Sequence, residues 1–315
     1  MSLDTISCPI CGSSNNKTLF KSKDFRLKTT SEIFNIVKCF DCSFLFLNPR
    51  PEIDKIGEAY TSDFNKSDQS FLYKIIEPIF NLAQKSTIRM LKSYKKNGKI
   101  LDIGCGNGTF MLAMQNSGYD VWGVEFNKDA KKYTDNSLKD RIFYDDIKEC
   151  NFPPKNFDII TMFHSLEHIY NINDLLVEVR RIIKDDGVLF ICVPDADFFE
   201  FRLFGPYNYN LEVPRHLYFF TPKSLRELLQ RKGFISGRLL NKSIFELILS
   251  PASLYHVVWN FFDDKKILIN NIVKNITFIP LVIARFFLCI FFIFNRQNIE
   301  MVCQRSKTDA LRNYL

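Results

Sequence analysis

Short apolar runs alternate with amphipathic segments through the middle of the chain. Apolar residues recur at helical spacing within residues 52–96, and further helices and strands then alternate. The predicted strands are Lys99–Ile103, Asp120–Val124, Arg141–Tyr144, Phe157–Phe163, Gly187–Val193, Phe234–Leu240 and Ile299–Cys303, and the predicted helices are Thr109–Asn116, Lys128–Asn136, Asp174–Ile183 and Pro222–Lys232. Strands that alternate with helices predict an α/β fold with a parallel, doubly wound sheet.

Two C-x2-C pairs precede this pattern. Their four thiols can surround one Zn²⁺ ion tetrahedrally, so residues 1–50 are predicted to form a zinc-ribbon-like module with structural zinc. The predicted ligands are Cys8, Cys11, Cys39 and Cys42. Four unrelated thiols are the alternative, but paired C-x2-C motifs are a specific signal.

A glycine-rich turn follows the first predicted strand of the sheet. The strand ends near Asp102, and Gly104, Gly106 and Gly108 come next. Glycine allows a positive φ and a close approach of the backbone to a ligand. A dinucleotide site needs G-x-G-x-x-G, whereas the third glycine here comes one position early. An NAD-dependent oxidoreductase is therefore a distant alternative.

Two carboxylates follow the next two strands. Glu125 ends the strand Asp120–Val124, and Asp146 follows Arg141–Tyr144. Ligands of such sheets bind beyond the carboxyl ends of the strands. Glu125 can accept hydrogen bonds from ribose hydroxyls and Asp146 from an adenine amino group. Surface charge is the alternative for each residue alone, but their coincidence with the glycine turn predicts a nucleotide-type site.

These motifs, with the segment Phe157–Ile169, resemble the class I S-adenosylmethionine-dependent methyltransferases over about residues 98–240 and the closing strand near 298–304. The resemblance implies a Rossmann-like seven-stranded sheet whose last strand is antiparallel and lies between the fifth and sixth. It implies S-adenosylmethionine as cofactor, with the methionine part near the glycine turn, ribose on Glu125 and adenine at Asp146. The implied cofactor residues are Asp102, Gly104, Cys105, Gly106, Gly108, Glu125, Phe126, Asp146, Ile147 and Phe163.

Histidines are the candidate bases for methyl transfer to an acceptor that must lose a proton. His168 follows the fourth strand and is expected near the methyl donor. The motif H-x-x-E-H, which ends at His168, also occurs in zinc peptidases, but there it lies on a long helix. Here it follows a buried strand, so we interpret it as part of the methyltransferase pattern.

His216 is the second candidate base. It lies in Glu212–Pro222, a segment that resembles V-P-R-H-x-x-x-F-[ST] of methyltransferases from surface-polysaccharide gene neighbourhoods. Arg215 can hold a phosphate or carboxylate, and with Tyr218 is predicted to bind substrate. A role for His216 in capping the following helix is the alternative. The resemblance implies a sugar, glycan or lipid-linked saccharide acceptor, although the C-terminal domain of related sugar C-methyltransferases has no counterpart here.

Residues 241–297 form an apolar insertion between the last two strands of the sheet. Ile276–Phe294 is long enough to span a membrane, yet both ends of the insertion return to one sheet. We therefore expect helices that make a peripheral membrane contact, with a buried lid or a dimer contact as the alternative. The three predicted domains are residues 1–50, residues 51–240 completed by the strand near 298–305, and the insertion.

Composition narrows the compartment and the partners. The odd count of nine cysteines and the absence of a signal-peptide pattern favour a reducing compartment. We therefore expect a cytoplasmic protein that can associate peripherally with the cytoplasmic face of the membrane. The net charge of +7 favours anionic partners without choosing one. An RNA methyltransferase and a non-catalytic cofactor-binding protein are the alternative functions. Nucleic acid is the less favoured partner, because no arginine-rich or aromatic RNA-binding pattern is present.

Overall fold

The computed structural model describes residues 1–60, 71–240 and 298–306. The predicted insertion 241–297, and the membrane contact assigned to it, lie outside these residues. Within the described part of the chain, no helix combines the length and the apolar character that a membrane crossing requires.

The described part of the chain contains thirteen strands and five α-helices, among them the seven strands predicted for the sheet. The strands are β1 (Leu3–Asp4), β2 (Asn16–Lys23), β3 (Ile33–Cys39), β4 (Leu45–Leu47), β5 (Arg50–Pro51), β6 (Lys99–Ile103), β7 (Asp120–Val124), β8 (Ile142–Phe143), β9 (Phe157–Phe163), β10 (Ile183–Pro194), β11 (Tyr218–Phe219), β12 (Phe234–Leu240) and β13 (Asn298–Arg305). The helices are α1 (Phe71–Tyr94), α2 (Thr109–Gln115), α3 (Ile172–Ile182), α4 (Phe199–Phe204) and α5 (Pro222–Arg231).

Seven strands form one mixed sheet in the order β12-β13-β10-β9-β6-β7-β8. The pairs around its centre, β10 with β9, β9 with β6 and β6 with β7, are parallel. The last strand, β13, pairs antiparallel with β12 and lies between β12 and β10. The predicted Rossmann-like sheet with an inserted, antiparallel last strand is confirmed.

The prediction of one helix between strands of this sheet was wrong. Residues 128–136 were expected to form an α-helix, but 3₁₀ turns occupy Lys128–Tyr133 and Asn136–Leu138 instead. Asn127 caps the first turn, since its side chain accepts from the backbone N–H of Asp129, and Asp135 caps the second in the same way. Such short-range side-chain bonds favour turns over a continuous α-helix. Of the region predicted to be helical, residues 52–96, the structure describes a 3₁₀ turn at Ile56–Ala59 and the helix α1 at Phe71–Tyr94.

The described residues fall into two compact units. The first combines residues 1–60 with residues 194–221, and the second contains residues 71–193, 222–240 and 299–306. In the first unit β11 pairs antiparallel with β4, which extends the N-terminal sheet to the order β11-β4-β3-β2. These units differ from the predicted boundaries, which assigned residues 194–221 to the methyltransferase core. A two-residue strand gives no sequence signal of its pairing partner.

Each unit has its own apolar core. In the first unit the rings of Phe44, Phe46 and Phe220 are fully buried and in contact, with centroids of Phe44 and Phe220 5.4 Å apart. In the second, α1 and α2 pack on the sheet through a cluster of buried side chains that includes Leu91, Met114 and Phe190. This packing fixes the position of the glycine turn between β6 and α2.

Candidate functional site

The glycine turn lies at the carboxyl end of β6, directly before α2. Gly104, Gly106 and Gly108 have φ values of 76°, 57° and 85°, which is the left-handed region that favours glycine. A Cβ added at Gly104 would lie 2.4 Å from the Cβ of Ser165, so that position is packed. A Cβ at Gly106 would meet no protein atom within 4 Å. The backbone of Gly106 is therefore open to a ligand.

Glu125 follows β7 and lies directly beside this turn. Its Oε2 accepts from the N–H of Gly106 at 2.8 Å, and its Oε1 accepts from the N–H of Asn127 at 2.7 Å. The parallel register of β6 and β7, which pairs Ile103 with Val124, explains the proximity. A half-buried carboxylate next to an open glycine backbone can accept hydrogen bonds from vicinal hydroxyls.

Asp102 lies at the end of β6 and is almost fully buried, with 4% of its surface exposed. The pKa of Asp102 is raised to about 7: burial is the largest cause, the Glu125 carboxylate adds to it, and the hydrogen bond from Thr161 opposes it. The Oγ1 atom of Thr161 donates to Oδ1 of Asp102 at 2.7 Å. Sequence reasoning missed Thr161, although a lone hydroxyl in the apolar strand β9 is a signal that it could have used.

The remaining predicted cofactor residues differ in exposure. Cys105 is buried, and burial together with Asp102 and Glu125 raises the pKa of its thiol. Ile147 is buried beside the exposed Asp146, whose Oδ1 accepts from the N–H of Lys148. Phe126 is 67% exposed, so its ring is available to a flat ligand. The ring of the half-buried Phe163 lies 4.6 Å from that of Phe110.

His168 lies in a 3₁₀ turn, Leu166–His168, that follows β9. Its ring offers a nitrogen within 4.8 Å of a carboxylate oxygen of Glu167. Glu167 is completely buried, and neither oxygen has a hydrogen-bond partner among the described residues. A buried polar group in this condition is uncommon and often marks a functional site.

His164 connects Glu167 to a thiol. Its Nδ1 lies 3.6 Å from Oε1 of Glu167, and its Nε2 lies 3.7 Å from Sγ of Cys192. His164 also has a positive φ of 48°, which is uncommon outside glycine. Sequence reasoning did not identify this group as a whole, because Cys192 lies on another strand.

His216 belongs to the first unit and is buried. Its Nδ1 donates to the carbonyl oxygen of Asn210 at 2.8 Å. A neutral histidine that donates through Nδ1 keeps Nε2 as an acceptor, which is the form a general base requires.

Arg215 and Tyr218, which the sequence predicts to bind substrate, are both buried in the first unit. The Arg215 guanidinium has no exposed surface and donates to both carboxylate oxygens of Asp24, each at 3.0 Å. Tyr218 is 2% exposed, and its hydroxyl accepts from Arg50 at 3.1 Å. Burial raises the pKa of Tyr218 to about 12. Both side chains form buried hydrogen bonds within the first unit.

The four N-terminal cysteines come together in this unit. Their Sγ atoms all lie within 4.8 Å of one another. Cys8 with Cys42, and Cys11 with Cys39, are 3.5 Å apart, whereas a disulfide bond needs about 2 Å. Four thiolates around zinc at a Zn–S distance of about 2.3 Å would be roughly 3.8 Å apart. The cluster is therefore compatible with a zinc centre.

Comparison with protein families agrees with the fold. A family model described as "Methyltransferase domain" matches residues 76–235, just over half of the chain. The matched residues include the glycine turn, Glu125, Asp146 and the turn that carries His168.

Two curated relatives illustrate the similarity in sequence. The ubiquinone biosynthesis O-methyltransferase of Glaesserella parasuis is 32% identical over 111 residues, which cover 31% of this chain and 47% of the relative. The sterol 4-C-methyltransferase strm-1 of Caenorhabditis elegans is 29% identical over 173 residues, or 51% of this chain and 46% of the relative. The chain thus spans about half the length of the curated relatives it matches.

One solved structure is also similar to this chain, at lower identity. The 1,6-didemethyltoxoflavin-N1-methyltransferase of Burkholderia thailandensis aligns with a TM-score of 0.49 at 14% identity, over 85% of this chain and 98% of that chain. The sheet order and the match to the family model decide the assignment. The chain belongs to the methyltransferase domain family and has its class I, Rossmann-like fold.

Proposed function

We propose that this protein is an S-adenosylmethionine-dependent methyltransferase whose donor lies across the carboxyl ends of β6 and β7. The contact between Gly106 and Glu125 is the observation that carries the proposal. It joins an open glycine backbone to a carboxylate at the edge of the sheet where ligands of this architecture bind.

Different residues around this contact bind different parts of the donor. Asp102 and the glycine turn face the methionine part, and Glu125 accepts from the ribose hydroxyls. The exposed Asp146 accepts from the adenine amino group, while Phe126 and Ile147 provide apolar contact. The sulfonium and ammonium charges of the donor stabilise the ionised form of Asp102, which burial alone disfavours.

We infer that an apolar, lipid-class acceptor is methylated on oxygen. Ubiquinone biosynthesis and sterol methylation appear in the names of the two relatives described above. Neither name refers to a saccharide, so the sugar acceptor expected from the sequence has no support from them. The O-methyltransferase is the more identical of the two, which favours oxygen over carbon as the methylated atom.

Proton removal from the acceptor is assigned to His168. The turn after β9 places it at the same sheet edge as the glycine turn, and the buried Glu167 beside it stabilises a protonated ring. His216 is the second candidate, because the hydrogen bond from Nδ1 to Asn210 sets the tautomer in which Nε2 is the acceptor nitrogen.

The N-terminal cysteines are proposed to hold one structural zinc ion. Such a centre would fix the turn before β2 and the turn after β3, and it would take no part in methyl transfer. The proposal rests on the approach of the four sulfur atoms within 4.8 Å.

Calorimetry with S-adenosylmethionine and S-adenosylhomocysteine tests the donor site. Glu125→Gln is expected to weaken binding about 10- to 100-fold, because hydrogen bonds to a charged carboxylate are replaced by neutral ones. Glu227→Gln is the matched control, since that carboxylate pairs with Arg231 on α5. Folded wild-type protein that binds neither compound would contradict the proposal, as would equal affinities of the two variants.

Transfer of a labelled methyl group tests the acceptor separately. The purified protein is incubated with the labelled donor and either the organic or the aqueous fraction of a cell extract. Label in the organic fraction is expected, and its loss in His168→Ala with donor affinity retained would support the base. Label confined to water-soluble saccharides would overturn the acceptor class and leave the donor site standing.

A further inference from the structure

A row of cations follows one side of α1. We define the α1 basic row as Lys85, Arg89, Lys92 and Lys96. The first three are four and three residues apart, so they share one face of a helix with 3.6 residues per turn. Lys96 continues the row two residues after α1 ends at Tyr94. Within the helix, from Lys85 to Lys92, the row spans roughly 10 Å at 1.5 Å per residue.

The charges of this row are not compensated within the described part of the chain. Lys85, Arg89 and Lys96 are exposed and Lys92 is half-buried. None of the four forms an ion pair with another described residue, whereas the neighbouring Lys95 pairs with Asp186. The sequence from Leu82 to Gly98 contains no Asp or Glu. Like charges at this spacing repel one another, so a helix gains nothing from them by itself.

The side of α1 that adjoins the row is buried. Ile88 and Leu91 are buried in the core of the second unit, with 7% and 0% of their surfaces exposed. The helix is therefore anchored by its apolar face and presents the basic row to the outside. Leu82, 48% exposed, lies near the N-terminal end of the same row.

This combination favours a lipid surface over a nucleic acid. Cations in line with an exposed aliphatic side chain suit the anionic headgroup layer and the boundary below it. Single-stranded nucleic acid is bound through aromatic side chains on which bases stack, and the row contains none. We propose that the α1 basic row binds anionic phospholipid headgroups and holds the protein at a membrane surface. This contact is independent of the acceptor proposed above.

Vesicle sedimentation of the full chain tests the proposal. Vesicles of phosphatidylcholine alone are compared with vesicles that also contain phosphatidylglycerol. Binding to the anionic vesicles is expected, with loss at high salt because the charges are screened. The double variant Lys85→Gln/Arg89→Gln is expected to bind about 30-fold more weakly, from roughly fivefold for each cation removed.

The matched control is Lys132→Gln/Lys155→Gln. It removes the same charge from exposed lysines that pair with Asp129 and Asp185. The control is expected to bind anionic vesicles like the wild type. An equal loss of vesicle binding in both variants would show that binding depends on net charge alone, and it would overturn the proposal. Undiminished binding of the row variant would locate the contact elsewhere in the chain, with the same consequence. Loss of RNA oligonucleotide binding without loss of vesicle binding would identify a nucleic-acid surface instead.

Discussion

Asp102 shows how one buried carboxyl group connects stability to ligand binding. Its burial raises the pKa to about 7, from 3.8 for the free side chain. The native state therefore holds a proton that the unfolded chain releases, and a ligand cation reverses this preference. Ionisation of Asp102 without a ligand therefore lowers the stability of the folded protein, and we propose that the donor offsets this loss.

The pH dependence of unfolding follows from this shift. The folded pKa lies above the unfolded one, so stability is fully present below about pH 4 and falls as the pH rises to about 7. At ~1.4 kcal/mol per pKa unit the loss is at most roughly 4 kcal/mol. Asp102→Asn is expected to unfold with a smaller decline between pH 5 and 8, as measured by denaturant titration at each pH.

The ligand supplies the control for this prediction. S-adenosylhomocysteine at saturation is expected to reduce the wild-type decline, because its ammonium group stabilises the carboxylate. A wild-type protein whose stability rises steadily over the same range would show that Asp102 ionises normally in the folded chain.

At the scale of elements, the segment around Arg215 binds the parts of the first unit together. β11 extends the N-terminal sheet, and the neighbouring Arg215 donates to Asp24 and to the carbonyl oxygen of Ala59. Asp24 is held further by the N–H and hydroxyl of Thr29, and despite the opposing effect of burial, Arg215 and Thr29 lower its pKa to about 2. The arginine of the motif that the sequence associated with substrate forms a buried ion pair with Asp24.

Breaking this pair is expected to destabilise the protein strongly. Arg215→Ala leaves the Asp24 carboxylate buried without its cation and is expected to lower the unfolding free energy by about 3–5 kcal/mol. Arg202→Ala is the control, since Arg202 pairs with Asp197 where both side chains are exposed, and a change within about 0.5 kcal/mol is expected. Denaturant unfolding measures both. An Arg215→Ala protein of normal stability with a raised KM for the acceptor would restore the substrate role.

At the scale of the whole molecule, the two units have separate apolar cores, and each contains one of the two proposed ligand sites. The first contains the cysteine cluster, and the second contains the glycine turn with Glu125. Units with their own apolar cores can unfold in separate steps. The zinc proposal and the donor proposal can therefore be tested in one calorimetric experiment.

Removal of zinc is expected to lower one thermal transition and leave the other in place. Metal analysis should find one zinc ion per chain, absent in Cys39→Ser and retained in Cys150→Ser, whose thiol lies outside the cluster. S-adenosylhomocysteine should raise the transition that zinc removal leaves unchanged. A protein without zinc, or one transition that responds equally to both ligands, would contradict this prediction.

Much of the second unit could be predicted because its apolar runs are bounded by polar or glycine residues. β6, β7, β9 and β12 have the predicted bounds, and the inserted last strand followed from the family resemblance. The helix predicted at residues 128–136 failed because local capping by Asn127 and Asp135 competes with helical hydrogen bonds. The buried carboxylate of Glu167 could not be foreseen, since burial depends on what packs against it.

The sequence by itself determined where the core strands lie along the chain, the glycine turn and the pairing of cysteines into two knuckles. These features depend on local periodicity and short-range spacing. The tertiary structure alone decided that residues 194–221 belong to the first unit, where β11 joins the N-terminal sheet, and that Arg215 pairs with Asp24. It also decided that Thr161 supports Asp102. Each of these contacts joins residues far apart in the chain, and its formation depends on packing that no local pattern encodes.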